Sequence, residues 1–431
     1  MRIQRLELKN YRGFSDLSID FPESGAAVFI GWNGAGKTSV LEVLNNLNRL
    51  VCNYQFSDTA TQGHGLSKMD VSLGATVCHV QIEVSLASEK PGQLKLKYDI
   101  SSGKSQGNIS SEIDNWGVEE SGKAYLINEK SIPVFAFYTA LRSLRYDSQV
   151  PEEGPKRYLI PQLKAYEGAW GNTLQFDHFI KWFVEEENKE NREKIRLKDF
   201  DYRNPGLDAV RSAWETFFAA LGERQYTNLR VEEREINQFT SVPSSLVVTK
   251  DGQDLNLSQL SDGEQLSLGM VADIAHRLVI ANPGLTKPLE GEGVVLIDEI
   301  ELHLHPAWQR RIVPALEKTF PGIQFILTTH SPQVVSEIAR SQVFLLENFK
   351  VIREVPHTLG RDSNTLLQDV FNVPERPEAA KLEFEKLYRI LDNPQKREEA
   401  KGLLQEMSQK YGADDPEIQR ATLHYEFMNE A

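Results

Sequence analysis

The sequence predicts an α/β fold, a mixed sheet with an added antiparallel layer, and three observations carry that expectation. A short apolar run at residues 26–30 enters a glycine-rich loop, and helical periodicity follows at 39–44. A wholly apolar run at 294–297 and a further strand pattern at 323–328 are separated by a helical stretch at 306–320, which is the spacing of parallel strands joined by a crossover helix. Strand patterns at 80–83 and 94–100 supply the antiparallel layer, and residues 134–138 read as a further buried strand.

The glycine-rich loop is Gly31-Trp32-Asn33-Gly34-Ala35-Gly36-Lys37-Thr38, followed by Ser39, and it fits the pattern G-x-x-x-x-G-K-[ST]. Glycines let successive backbone N–H groups converge on phosphate oxygens, and the following helix points its positive end at the same anion. The loop is therefore expected to bind ATP, with Lys37 reaching the β- and γ-phosphates and the Thr38 hydroxyl ligating Mg²⁺.

The second apolar run ends in Asp298-Glu299, two carboxylates at the carboxyl end of a predicted parallel strand, where open α/β sheets place ligands. Asp298 is expected to hold the Mg²⁺ and Glu299 to act as general base on the attacking water. His330 follows the third run, one right-handed crossover later, so its ring is expected beside the Asp298 strand as a neutral contact to the γ-phosphate. The intervening Glu301-Leu302-His303-Leu304-His305-Pro306 would lie at the mouth of the site, within reach of a partner subunit. These are consecutive loop residues with no cysteine near, a poor metal set.

Ser261-Asp262-Gly263-Glu264 reads locally as a helix start, with Ser261 as N-cap and Glu264 completing a capping box. Leu260-Ser261-Asp262-Gly263-Glu264 also resembles the L-S-x-G-[EQ] signature of ABC-type ATPases. With the four motifs in this order, the chain resembles an ABC-type ATPase head of the RecF, Rad50 and SMC group. That resemblance implies a homodimer or higher oligomer, in which Ser261, Asp262, Gly263 and Glu264 meet the γ-phosphate held by the opposite copy. Asn10-Tyr11-Arg12-Gly13-Phe14 resembles the N-[FY]-R-G-F element of those heads, which implies that Arg12 lies near bound nucleotide. The group also carries an inter-lobe glutamine, for which Gln55, Gln62 and Gln81 are all candidates.

Toward the C-terminus, residues 360–364 and 369–377 resemble the ATPase subunit of Septu-type and retron-linked anti-phage systems. The resemblance implies a separately encoded HNH nuclease as partner, with nucleic acid reached through that complex. A RecF-like DNA repair ATPase is the alternative, and it would want a basic DNA surface. The formal net charge of −14 argues against such a surface, although Lys156-Arg157 and the stretch from Lys194 to Lys198 are local basic patches. Arg142 and Arg145 follow the strand at 134–138, where they would face phosphate or an ion pair. A self-sufficient nuclease with an appended TOPRIM domain is disfavoured, because Glu347 and Asp414-Asp415 do not form its carboxylate cluster.

Hydrophobic content of 40% and charged content of 26% are those of a soluble globular protein. Two cysteines, Cys52 and Cys78, exclude a disulfide framework and suit a reducing cytoplasm. No apolar run is long enough to span a membrane, and Met1 leads straight into a strand pattern without a signal peptide. Four regions are expected: an N-lobe with the phosphate loop at 1–149, a helical insertion at 150–235, a C-lobe with the other motifs at 236–359, and a helical docking or oligomerisation segment at 360–431. Helices are expected at 176–198 and 207–221 in the insertion, and at 377–391, 395–411 and 416–427 near the C-terminus.

Overall fold

The computed structural model describes residues 1–56, 66–86, 92–101, 108–114, 131–142, 161–170, 176–222, 226–232, 235–237, 240–241, 245–352 and 355–430. These form two compact units, Met1–Ser363 and Asn364–Ala431.

The first unit opens with β1 (Arg2–Tyr11), β2 (Phe14–Asp20), β3 (Ala27–Gly31) and α1 (Lys37–Phe56), then β4 (Val77–Leu86), β5 (Gly92–Ser101), β6 (Asn108–Asp114) and β7 (Val134–Tyr138). An antiparallel layer runs in the order β2-β1-β4-β5-β6. Its register sets Leu6 opposite Ile82 and Leu8 opposite Val80, so buried side chains share one face while Glu7 and Lys9 take the other.

Helices α2 (Phe176–Leu197) and α3 (Pro205–Leu221) follow. Local chemistry fixes both ends of α3. The Asn204 side chain accepts from the N–H groups of Gly206 and Leu207, Pro205 occupies the first turn, and Gly222 closes the helix at φ 82°. Its apolar stripe, including Trp214, Phe217 and Phe218, is buried, so these helices are part of the first unit. The expected helical insertion needs one correction. Tyr226–Glu232 is a strand, β8, paired antiparallel with a segment beyond residue 244. That pairing is long-range, and tertiary contacts override a polar local pattern.

The short strands β9 (Glu235–Asn237) and β10 (Thr240–Ser241) precede β11 (Ser245–Lys250) and β12 (Gln253–Asn256), and β12-β11-β8 form a three-stranded sheet. Next come α4 (Asp262–Ala281), β13 (Gly293–Ile297), α5 (Pro306–Thr319), β14 (Ile323–Thr328), α6 (Pro332–Val335), β15 (Val343–Glu347) and β16 (Lys350–Ile352). The central sheet runs β16-β15-β3-β14-β13-β7, all parallel except the edge strand β16. Every residue of β3, β7, β13 and β14 is buried, as expected of parallel strands covered on both faces. This order brings the carboxyl ends of β3, β14 and β13 side by side, and the site is built there.

The second unit contains most of α7 (Ser363–Asp369), then α8 (Glu378–Leu391), α9 (Arg397–Tyr411) and α10 (Pro416–Glu430). Phe384, Leu387, Leu404, Met407 and Ile418 give it a core of its own. Among the described residues, no helix is long and apolar enough to cross a membrane.

Candidate functional site

The loop between β3 and α1 turns on glycines with positive φ, Gly34 at 80° and Gly36 at 102°. A Cβ on Gly36 would also lie 2.4 Å from the Phe14 ring, so only glycine fits there. Lys37 is 6% exposed and curls back to donate to the carbonyls of Gly31 (2.8 Å) and Trp32 (3.1 Å). Burial lowers its pKa, against the opposing pull of Asp298, Glu299 and Glu301. Ala35 is buried beneath the loop, whereas the Trp32 indole stands out from it, 59% exposed.

A cavity of about 250 Å³ opens over this loop, lined by Asn33, Gly34, Gly36, Lys37, Thr38 and Ser39 together with Asp298, Glu299, His330 and Phe349. The Thr38 hydroxyl donates to Asp298 Oδ2 at 3.0 Å. Asp298, at the end of β13, also accepts from the Thr328 hydroxyl at 2.5 Å. The same Thr328 oxygen accepts from the Glu299 N–H at 2.8 Å, so one side chain at the end of β14 fixes both carboxylate residues. Glu299 has φ 48°, a left-handed conformation that costs a residue with a Cβ about 1–2 kcal/mol.

His330 is half-buried, and its backbone N–H donates to Glu301 Oε1 at 2.6 Å. Burial and then the Lys37 charge lower its pKa, favouring the neutral ring. Arg12 lies behind the loop. It donates to Asp70 (2.8 Å), to Glu42 and to the Ser39 hydroxyl (3.3 Å), and so reaches the cavity wall only through Ser39.

The signature segment lies elsewhere. Ser261 and Asp262 are exposed at the start of α4, and none of the four signature residues lines the cavity of its own chain. Glu264 reaches back to the Ser261 N–H (2.9 Å) and accepts from the Ser261 hydroxyl (2.8 Å). Its other oxygen accepts from Lys250 (2.6 Å) and the Tyr226 hydroxyl, which bolts the helix start to β11 and β8. Burial would raise the pKa of this carboxyl, yet those donors bring it down to about 2. Gly263 packs so closely that a Cβ would meet the His303 carbonyl oxygen at 2.3 Å.

Several residues depart from expectation. Arg142, expected to face phosphate or an ion pair, binds backbone. Its guanidinium donates to the backbone carbonyls of Asp298 (2.6 Å) and Glu299 (2.9 Å). Thr328 and Phe349 were not among the residues expected at the site, and only Thr328 had a sequence cue, its place at the end of the strand before His330; Arg142 and Glu301 were expected there, but not with the backbone partners they take. Gln81 donates to Glu7 and Glu83 on the antiparallel layer and does not line the cavity. Gln55 is in α1, while Gln62, Arg145 and Lys156-Arg157 lie outside the described residues. His305 Nδ1 accepts from the Ala307 N–H as the N-cap of α5, and among the described residues no cluster of three metal-ligating side chains occurs.

Residues 1–116 match the family described as "AAA ATPase domain", and residues 136–336 match "AAA domain, putative AbiEii toxin, Type IV TA system". The chain is 31% identical to the Retron Ec83 probable ATPase of Escherichia coli, over 99% of this chain and 87% of that one. The chain belongs to the retron ATPase family. A more distant relative, the Septu protein PtuA of Bacillus thuringiensis, is 24% identical over 86% of this chain and 85% of its own. Among solved structures, an SMC head bound to the C-winged helix domain of ScpA is similar over 82% of this chain and 98% of that chain, at 16% identity and a TM-score of 0.43. Like other members of the retron ATPase family, the chain is an ATPase.

Proposed function

We infer that this ATPase is the regulatory subunit of a bacterial anti-phage system. It closes into a dimer around ATP, and the dimer controls a separate HNH nuclease. One observation carries the dimer: Ser261 is exposed at a helix N-terminus, yet it does not line the phosphate cavity of its own chain. A free helix N-terminus with a hydroxyl is an anion site, and a second copy would bring it to the γ-phosphate. The nuclease partner rests on the resemblance of residues 360–364 and 369–377 to Septu and retron-linked ATPases. The net charge of −14 weighs against a RecF-like repair role.

The donor set at the cavity fits Mg²⁺. Thr38 and Asp298 offer hard oxygens 3.0 Å apart, and this ion takes its remaining ligands from phosphate and water. Bound there, Mg²⁺ would neutralise charge on the transferring phosphate. Lys37 would leave the loop carbonyls for phosphate oxygens, and Glu299 would take the proton of the attacking water. A neutral His330 would hold that water in line without repelling Lys37.

Mixing two inactive variants tests the shared site. Ser261→Arg keeps its phosphate loop, Lys37→Ala keeps its signature, and their heterodimer contains one intact composite site. Random pairing would restore up to about a quarter of the parental activity. Heterodimers that form but hydrolyse nothing would rule the geometry out.

A further inference from the structure

Arg142 lies four residues beyond the end of β7 and is 8% exposed. Its planar fork takes two successive carbonyls, those of Asp298 at 2.6 Å and Glu299 at 2.9 Å. Both belong to residues past the end of β13, beyond the ladder that would otherwise pair them. The N–H side of the same two residues is fixed as well: Asp298 donates to the Tyr138 carbonyl (2.8 Å) and Glu299 to Thr328 Oγ1 (2.8 Å). Glu299 nevertheless sits at φ 48°, a conformation that persists only where its surroundings over-determine it. Charge-assisted bonds from a rigid guanidinium supply that constraint, and a lysine ammonium, a point charge, cannot reproduce the fork.

We propose that Arg142 is a positioning residue for hydrolysis, which clamps the Asp298 and Glu299 carbonyls and thereby aims the Glu299 carboxylate into the phosphate cavity. The proposal rests on the reading of Glu299 as general base. Arg142 touches no substrate in this role; it acts through the backbone of its neighbour.

The test is a double-mutant cycle on the full chain, with Arg142→Met and Arg142→Lys each made in the parental and Glu299→Gln backgrounds. ATP affinity and kcat are measured separately. In the parental background, Arg142→Met should lower kcat about 100-fold, the cost of a small misplacement of a catalytic group, with ATP affinity near parental. Arg142→Lys should fall between the two. In the Glu299→Gln background the same substitutions should change the residual rate little, because residues acting as one unit are non-additive. A purely structural role would instead depress affinity and rate together in both backgrounds. That pattern, or parental kcat in both Arg142 variants, overturns the proposal. If Arg142→Met does not fold, Arg142→Lys decides by the same criteria. A Glu299→Gln protein of parental rate would sink the role of Glu299 and the proposal with it, whereas a slow Glu299→Gln beside fast Arg142 variants sinks the clamp alone.

Discussion

The Thr38 hydroxyl donates to Asp298 Oδ2 at 3.0 Å although 260 positions separate the two residues. The contact exists because β3 and β13 flank β14 in the central sheet, so the loop leaving one strand faces the carboxylate ending the other. A phosphate loop is thereby joined to a candidate base, since Glu299 is the next residue. Thr328 ties the two carboxylate residues together from the intervening strand.

Glu299→Gln should leave ATP binding intact and lower hydrolysis by about 10²–10⁴-fold, the usual worth of a general base. The ATP-bound dimer should then accumulate, visible by light scattering. Lys37→Ala should instead weaken binding itself. Parental turnover by purified Glu299→Gln protein would remove the base role.

Thr328→Val keeps the shape at the end of β14 but removes the donor to Asp298 Oδ1 and the acceptor for the Glu299 N–H. Partners that orient a ligating carboxylate are typically worth about 10–100-fold in metal affinity or activity. A titration of ATPase rate against Mg²⁺ should therefore shift to higher concentration in this variant. Thr328→Ser, which retains the hydroxyl, should remain close to the parent. An unmoved titration in Thr328→Val would mean that Asp298 needs no such support.

Where a candidate feature lies in consecutive residues, its place in the fold was legible in the sequence. The phosphate loop, Asp298-Glu299 and the Ser261 helix start are each one strand end or one cap, and β7 and α5 follow from unbroken apolar or periodic runs. Arg142 stood out after its strand, but its partners were not legible, because a guanidinium that binds backbone carbonyls leaves no mark on their identity. Strand β8 escaped for a related reason. Its ladder is completed by β11, and its own pattern, with only Tyr226 and Leu229 buried, is too weak to announce a strand. Arg12 fell between these cases: its motif was visible, but its tie to Ser39, Glu42 and Asp70 required the fold.

Acid should loosen the signature helix. The Glu264 carboxyl has its pKa lowered from an ordinary 4.5 to about 2, because burial is outweighed by Lys250, Tyr226 and Ser261. A depressed folded-state pKa contributes stability that is fully present above the unfolded value and is lost as pH falls through the folded one. The gap in melting temperature between the parent and Glu264→Gln should thus be widest above about pH 5 and shrink toward pH 2. Lys250→Met should reduce that gap. A gap independent of pH would show that Glu264 is not held as an anion.

Every residue of the nucleotide cavity and the signature lies in the first unit, before position 364. The second unit buries its own core, yet leaves Leu423 and Phe427 exposed at 65% and 72%. These two are four residues apart on α10 and therefore share one face, which among the described residues nothing in the unit covers. Deleting residues 377–431 should spare ATP binding but abolish co-purification of the nuclease or change the mass of the assembly. Leu423→Asp with Phe427→Asp should do the same with little loss of fold, since exposed substitutions usually cost within about 0.5 kcal/mol. Burial of this strip against a partner would supply binding energy, and the nucleotide state would bias which arrangement presents it. Co-expression followed by light scattering measures both outcomes. An intact complex of unchanged mass after the deletion would move the partner surface to the helices between residues 150 and 235.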